Sequence, residues 1–343
     1  MIPNLVQNNI SEEPLTILID TSLGTGLTYT LPKTNSGVYD YTVDWGDGYT
    51  RGVVGYSIES HTYSTDGVYT VTVTGTFSQI SFDSLTQSQL MTTSLDCGSV
   101  VCYALNSSFL NCINITSILG ISTGDTSLRN CFLNTNSLIE LTINDTSLTT
   151  NWWSAFENSS INNTLDLDFS VANDLRECFK GSSFNNVSCE AWNFNNNEVS
   201  LYETFYNDTN FNRDISGWNI RPTIMPNTFR NTSFNQDISN WDMSSCTNLS
   251  TTFFQTPFNQ NLGAWNIDNV TTMVNLFRDS GMNDVNTQLT IEGWYNWDGI
   301  QVTNPVQNNV TIRFNNNTVS GNASLILSWL VSNKGYILQN ITY

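Results

Sequence analysis

Apolar residues return along this chain with a long and regular period. Phenylalanine recurs at Phe109, Phe132, Phe156, Phe179, Phe205, Phe229, Phe253 and Phe277, in steps of 23, 24, 23, 26, 24, 24 and 24 residues. A second column, Phe184, Phe211, Phe234 and Phe258, is followed each time by Asn, and a third holds Trp192, Trp218, Trp241 and Trp265. A unit of this length has too few apolar residues to bury its own face, whereas a stack of such units buries a continuous one, so the period predicts a solenoid. Ile215–Trp218, Ile238–Trp241 and Leu262–Trp265 alternate apolar and polar residues and predict strands that stack as a parallel sheet. Leu138–Ile143 and Leu165–Phe169 predict the same strand without the Trp, and Val270–Phe277 has the spacing of one or two helical turns. The position before each leading Phe holds Ser108, Cys131, Ala155, Cys178, Thr204, Thr228, Thr252 and Leu276. Residues that alternate with Ala and Thr in one slot are packing residues, so Cys131 and Cys178 are expected buried and unpaired.

The flanks carry other patterns. Residues 12–82 contain strand-like runs at Leu15–Ile19, Tyr39–Val43 and Tyr69–Val73. Asp44-Trp45-Gly46-Asp47-Gly48 lies between them, followed by His61-Thr62-Tyr63 and Gly67-Val68-Tyr69-Thr70-Val71. The two glycines suit a tight turn. At the other end, Val310–Phe314 predicts a strand, residues 321–332 place Leu325, Ile326, Trp329 and Leu330 at helical spacing, and Tyr336–Asn340 predicts a last strand. Strand–helix–strand suits a cap for the apolar end of a solenoid.

Two resemblances follow from these motifs. The repeat, nearly verbatim as FNQDISNWD at Phe234–Asp242, resembles the BspA-like leucine-rich repeats over roughly residues 100–300. WGDG, HTY and GVYTVTV in that order resemble a polycystic-kidney-disease (PKD) type domain, an Ig-like β-sandwich. Together they imply a mainly β protein with short helices: an Ig-like β-sandwich, then a leucine-rich-repeat-like solenoid with a parallel sheet, then the cap. The expected organisation is an arm at 1–11, the sandwich at 12–82, the solenoid at 83–300 and the cap at 301–343. In this resemblance Trp45 is a core residue and His61 a structural one. The repeat family occurs in bacterial surface proteins, protists, phages and giant viruses, and implies binding rather than catalysis.

Composition narrows the function. Eleven Lys and Arg stand against thirty Asp and Glu, a net charge of −19, which disfavours contact with nucleic acid or an anionic membrane surface. No apolar run is long enough to span a bilayer, and the first residues lack a basic stretch followed by an apolar one, so no secretory signal is expected. A single histidine leaves no Ser-His-Asp triad beyond it and no multi-histidine metal site. The seven cysteines contain no CxxC pair and are expected to be reduced and buried, with a Cys97–Cys102 disulfide as the competing reading. Asp44 and Asp47 read as turn residues rather than a glycosidase pair, and Asp166 and Asp168 as solvated strand residues rather than calcium ligands. The N-x-S/T sites follow from the abundance of Asn.

No catalytic residue, cofactor or metal is therefore expected. The tryptophan column has two readings, core packing or an exposed aromatic ladder, and the candidate partner-binding residues are Trp218, Trp241 and Trp265. The expected function is that of a non-enzymatic virion surface protein, a capsid decoration or fibre component that displays a binding surface for host attachment. Its expected partners are other virion proteins and a host surface glycan or protein, with homo-oligomers in view; nucleic acid and membrane insertion are not expected. A bacterial cell-surface adhesin and a carbohydrate-binding tail component are the alternatives.

Overall fold

A computed structural model describes residues 13–102, 105–295, 307 and 310–343. The expected arm at 1–11 lies outside the described residues, and the cap at 301–343 is described from 310 onward. The chain is mainly β with few short helices.

The first strands are β1 (Leu15–Asp20), β2 (Thr28–Thr30), β3 (Tyr39–Asp44), β4 (Thr50–Val54), β5 (Ser60–Thr62) and β6 (Val68–Phe77). After helix α1 (Thr86–Met91) come β7 (Thr92–Asp96), β8 (Val101–Cys102), β9 (Ser117–Thr123) and β10 (Glu140–Ile143). The three strands expected in residues 12–82 are present as β1, β3 and β6, and their alternation is visible as buried Leu15, Ile17 and Ile19, and Tyr39, Tyr41 and Val43. The main sheet is open, in the order β10-β9-β7-β1-β6-β3-β4, with β8 also paired to β9; β2 and β5 form a separate antiparallel pair. β7 pairs antiparallel with β1 and parallel with β9. The sheet therefore runs through the expected boundary at residue 82 without a break.

The turn between β3 and β4 is the DWGDG motif. Asp44 Oδ1 accepts the Gly46 N–H, and Asp47 Oδ1 accepts that of Tyr49. Gly46 has φ +82°, and a Cβ there would stand 2.5 Å from the Thr70 carbonyl, so only glycine fits. Trp45 is buried and its carbonyl accepts the Tyr63 hydroxyl at 2.8 Å. His61 lies between the Trp45 and Tyr49 rings and bonds Asp47 Oδ2 at 2.7 Å. Asp44, Asp47 and His61 thus serve the turn.

The repeats follow a common plan when each leading Phe is counted as position 0. At positions −4, −2, 0 and +2 the backbone N–H reaches the next unit. From the Phe229 unit these bonds run Met225 to Asn248, Asn227 to Ser250, Phe229 to Thr252 and Asn231 to Phe254, all between 2.9 and 3.1 Å. Position −4 is a further apolar column, including Leu128, Leu175, Leu201, Met225 and Leu249, all buried. The leading Phe rings stack in series: Phe205–Phe229, Phe229–Phe253 and Phe253–Phe277 each stand 5.9 Å apart, at interplanar angles of 4°, 9° and 6°.

Positions −2 and +2 carry positive φ, near 50–62° at Asn130, Asn134, Asn207, Asn227 and Asn231 among others. Asn is the non-glycine residue best suited to that conformation. This accounts for eight of the chain's asparagines, and it corrects the expected helical turns at Val270–Phe277: Asn275 has φ 57°, and a left-handed residue breaks a helix.

The strands of the repeat also fall elsewhere than expected. Ile215–Trp218, Ile238–Trp241, Leu262–Trp265 and Leu165–Phe169 are not strands. Asp214 and Asp237 each accept the backbone N–H two residues on, and Trp218 N–H returns to the Ile215 carbonyl at 3.1 Å. An Asx turn closed by an i to i−3 bond competes with extended backbone and wins here. The regular strands are β11 (Asn197–Ser200) and β12 (Ile220–Ile224), paired in parallel, and isolated parallel bridges join Ser127 to Asn151, Asn151 to Asp174 and Asn248 to Thr272. β10 confirms Leu138–Ile143 in its second half.

The last units are α2 (Asp284–Trp294), β13 (Thr311–Thr318), α3 (Gly321–Lys334) and β14 (Ile337–Thr342), with β13 and β14 parallel. The expected strand, helix and strand are all present. Met273 bridges to Ile312 and Phe277 stacks on Phe314, so β13 continues the ladder.

Candidate binding face

The three tryptophans singled out from the sequence are buried, with 3%, 3% and 2% exposure at Trp218, Trp241 and Trp265. Each indole N–H donates into the preceding unit: Trp218 to the Cys189 carbonyl at 2.7 Å, Trp241 to Ile215 at 3.2 Å and Trp265 to Ile238 at 2.9 Å. Burial and a satisfied donor make them core residues that tie unit to unit, and correct the reading of them as an exposed ladder. Trp294, from α2, donates to Leu262 at 2.7 Å and so fills the next place in the column, although its spacing in sequence differs.

The neighbouring columns are equally spoken for. All the residues before the leading Phe are buried, Cys131 and Cys178 included. Burial raises the thiol pKa of Cys178 well above its ordinary value, and that of Cys189 and Cys246 to about 12. Cys97 is buried as well; the side chain of Cys102, its partner in the competing disulfide reading, lies outside the described residues. Asn side chains after the second Phe column form a ladder of their own: the side-chain carbonyls of Asn185, Asn212, Asn235 and Asn259 accept the backbone N–H of Asn212, Asn235, Asn259 and Asn283.

Asp166 and Asp168 line a groove with Asp145 and Asn193. Asp168 Oδ1 accepts the Ser170 N–H, which makes it a turn residue. Among the described residues, no group of three or more His, Cys, Asp or Glu is placed to hold a metal ion. Among the described residues, no helix is long and apolar enough to cross a membrane.

What the sequence reading missed is an aromatic ladder on the outside, in two other columns. At position −3, Trp153 is sandwiched between Arg129 and Arg176, whose guanidinium carbons lie 4.0 and 4.1 Å from its ring centre. At position +1, Lys180, Tyr206, Arg230, Phe254 and Arg278 alternate cation and ring. Arg230 stands 5.1 Å from Tyr206 and 4.9 Å from Phe254, and Arg278 stands 5.0 Å from Phe254 on its other side. These side chains are half-buried, with Arg129 exposed. The signal was present in the sequence as cations and aromatics in alternate repeats, but it emerges only when the leading Phe is used as the ruler.

Charge on this face is unevenly compensated. Five of the chain's eleven Lys and Arg lie on it. Arg176 pairs with Asp174 at 2.6 Å, and that hydrogen bond raises its pKa. Lys180 meets Glu203 at 2.8 Å, Glu177 at 3.6 Å and Glu157 at 3.7 Å. Burial pulls the Lys180 pKa down, but the carboxylates outweigh it and leave the group above its ordinary value. Burial raises the pKa of Glu157. Arg278 pairs with its neighbour Asp279 at 3.3 Å. Arg230 differs: its one side-chain hydrogen bond among the described residues goes to the Asn227 amide oxygen at 3.3 Å, with no carboxylate in salt-bridge range.

The geometry defines a repeat protein, in which units of about 24 residues bond to one another through backbone, ring stacks and side-chain ladders. Residues 126–231, and again residues 201–321, match the family described as Mycoplasma protein of unknown function, DUF285. The two matches together span more than half of the chain, and the chain belongs to this family. No curated protein and no solved structure matches it.

Proposed function

We propose that the chain is a non-enzymatic binding scaffold displayed on a virion surface, as a capsid decoration or fibre component that takes part in host attachment. In this reading residues 83–300 are one leucine-rich-repeat-like solenoid, capped by β13, α3 and β14, and residues 12–82 are a PKD-like sandwich that serves as a spacer. The observation that carries it is the division of labour among columns. Interior positions join one unit to the next, and rows of alternating cations and rings stand over three units at position −3 and five units at position +1. Such a surface suits repeated weak contacts, whose combined strength across many copies rises by roughly 10²–10⁴.

A second reading, a bacterial cell-surface adhesin, is favoured by the family's description as Mycoplasma proteins. Antibodies raised against residues 126–321 test both. Labelling of intact purified particles supports the virion setting, and labelling of intact cells supports the adhesin. Labelling of neither, with the protein found only inside lysed cells, overturns surface display.

A further inference from the structure

We propose that the row Tyr206, Arg230, Phe254 and Arg278 is a docking site for an acidic polysaccharide. The inference deepens the binding-scaffold reading and rests on it.

The row leaves a narrow range of chemistry available to a ligand. Phe254 has a guanidinium on each side, and Tyr206 has Lys180 at 5.9 Å and Arg230 at 5.1 Å. With both ring faces taken, neither a nucleobase nor the apolar face of a sugar has a ring to stack on. What remains is the rim of each ring and the terminal Nη pair of each half-buried guanidinium, since the Nε atoms of Arg230 and Arg278 are buried. Stacking fixes the plane of an arginine and thereby orients its donors, and a fixed fork is suited to a carboxylate or a sulfate. The ligand is therefore recognised through its anionic groups.

Charge and spacing then select the class. Among the described residues, Arg230 has no carboxylate in salt-bridge range, and the carboxylate paired with Arg278 is that of Asp279. The three glutamates of this face gather on Lys180, at the other end of the row. From the two distances to Phe254, the guanidinium carbons of Arg230 and Arg278 are at most about 10 Å apart. A net charge of −19 opposes a densely charged strand such as a phosphate backbone. A polymer with one acidic group on every second sugar meets two isolated cations at this separation and carries less charge past the acidic surroundings. A row whose members recur every 24 residues, from Tyr206 to Arg278, fits a ligand that is itself periodic.

The test is calorimetric titration of the whole protein with hyaluronan, unsulfated chondroitin and neutral dextran, at two salt concentrations; each of the two acidic polymers carries one carboxylate on every second sugar. The expected result is binding to at least one acidic polymer, weakened by salt, with dextran silent. Arg230→Gln with Arg278→Gln should weaken binding at least tenfold. Gln255→Glu, which adds a carboxylate on the exposed neighbouring position without touching the stack, should weaken it several-fold in a protein that melts as the wild type does. That second variant keeps the test decisive if the arginine pair proves necessary for folding. The proposal is overturned if neither acidic polymer binds, if dextran binds as well, or if Gln255→Glu binds unchanged. Single-stranded DNA bound as tightly as the polysaccharide overturns it in favour of a general polyanion site. Self-association abolished by the arginine substitutions overturns it in favour of a second copy as the partner. A protein displayed on particles or cells that binds no acidic glycan refutes only this inference; a protein that binds glycan but is never displayed refutes only the surface reading.

Discussion

Asp208 gives the sharpest prediction. It occupies position +3, where other repeats hold Thr135, Ser159, Ser182, Thr232, Thr256 and Ser280, all buried. In that slot the threonine hydroxyl donates to the carbonyl of its own leading Phe, at 2.8 Å for Thr135, 2.7 Å for Thr232 and 2.8 Å for Thr256. An ionised carboxylate has no proton to give. Asp208 is fully buried; its Oδ2 accepts the Ser182 hydroxyl at 2.9 Å, and its Oδ1 has no partner. Burial raises its pKa from 3.8 to about 8, with the Ser182 bond opposing. The folded protein therefore holds a proton there that the unfolded chain releases near pH 4. Stability from this group is complete below the unfolded pKa and is lost as pH rises toward 8. A pKa unit is worth about 1.4 kcal/mol, so between pH 5.5 and 8 the loss is on the order of 3 kcal/mol. Asp208→Thr restores the residue of the slot and removes the titration. The assay is urea unfolding of both proteins at pH 5.5 and pH 8, read as the difference between them, which cancels the other carboxylates. The variant's advantage should grow by a few kcal/mol toward pH 8. An advantage that is the same at both pH values would rule out a buried Asp208 that holds its proton in the folded protein.

Other predictions follow from single columns. Trp241→Phe keeps an aromatic ring and removes the indole donor, leaving the Ile215 carbonyl with the Trp218 N–H alone; a loss of about 0.5–1.5 kcal/mol for the bond is expected in chemical unfolding, and no loss would show the bond to be idle. Asn231→Ala places alanine at φ 56° and should cost about 1 kcal/mol or more, whereas Asn231→Gly should cost less; melting temperatures in the opposite order would contradict the conformational account. Cys178 should resist alkylation in the folded protein and react on unfolding, because burial holds its thiol protonated; labelling of the native protein by mass spectrometry would contradict this.

The legible parts of the fold were those written as a column of one residue type. Phe at position 0 announced the stack, and the small residues before it announced a buried slot, because a core between identical units demands the same volume at the same place each time. The flanking strands and α3 were equally legible, since their periods are local. The strands within the repeat were misread because Ile215-Ser216-Gly217-Trp218 alternates like a strand. The deciding residue was Asp214, whose side chain closes the turn. The Trp column was legible as a column, but its burial depended on a donor bond into the preceding unit, and no single repeat contains both partners. The outer face was harder still. Its residues vary from repeat to repeat, and only the stacking of one unit on the next turns Tyr206, Arg230, Phe254 and Arg278 into neighbours.

Residues one repeat apart lie side by side in this fold. Asn207 and Asn231 occupy the exposed position +2 of successive units, with the Asn231 amide nitrogen 2.8 Å from the Asn207 side-chain oxygen. A disulfide needs Cα atoms about 4.4–6.8 Å apart, a separation reached by adjacent units and not by units two steps apart. The measurement is non-reducing mass spectrometry after mild oxidation of the pair Asn207→Cys with Asn231→Cys, beside the pair Asn207→Cys with Gln255→Cys. The stacked arrangement predicts a cross-link in the first pair and none in the second. Cross-linking of the second pair as readily as the first, or of neither, would contradict it.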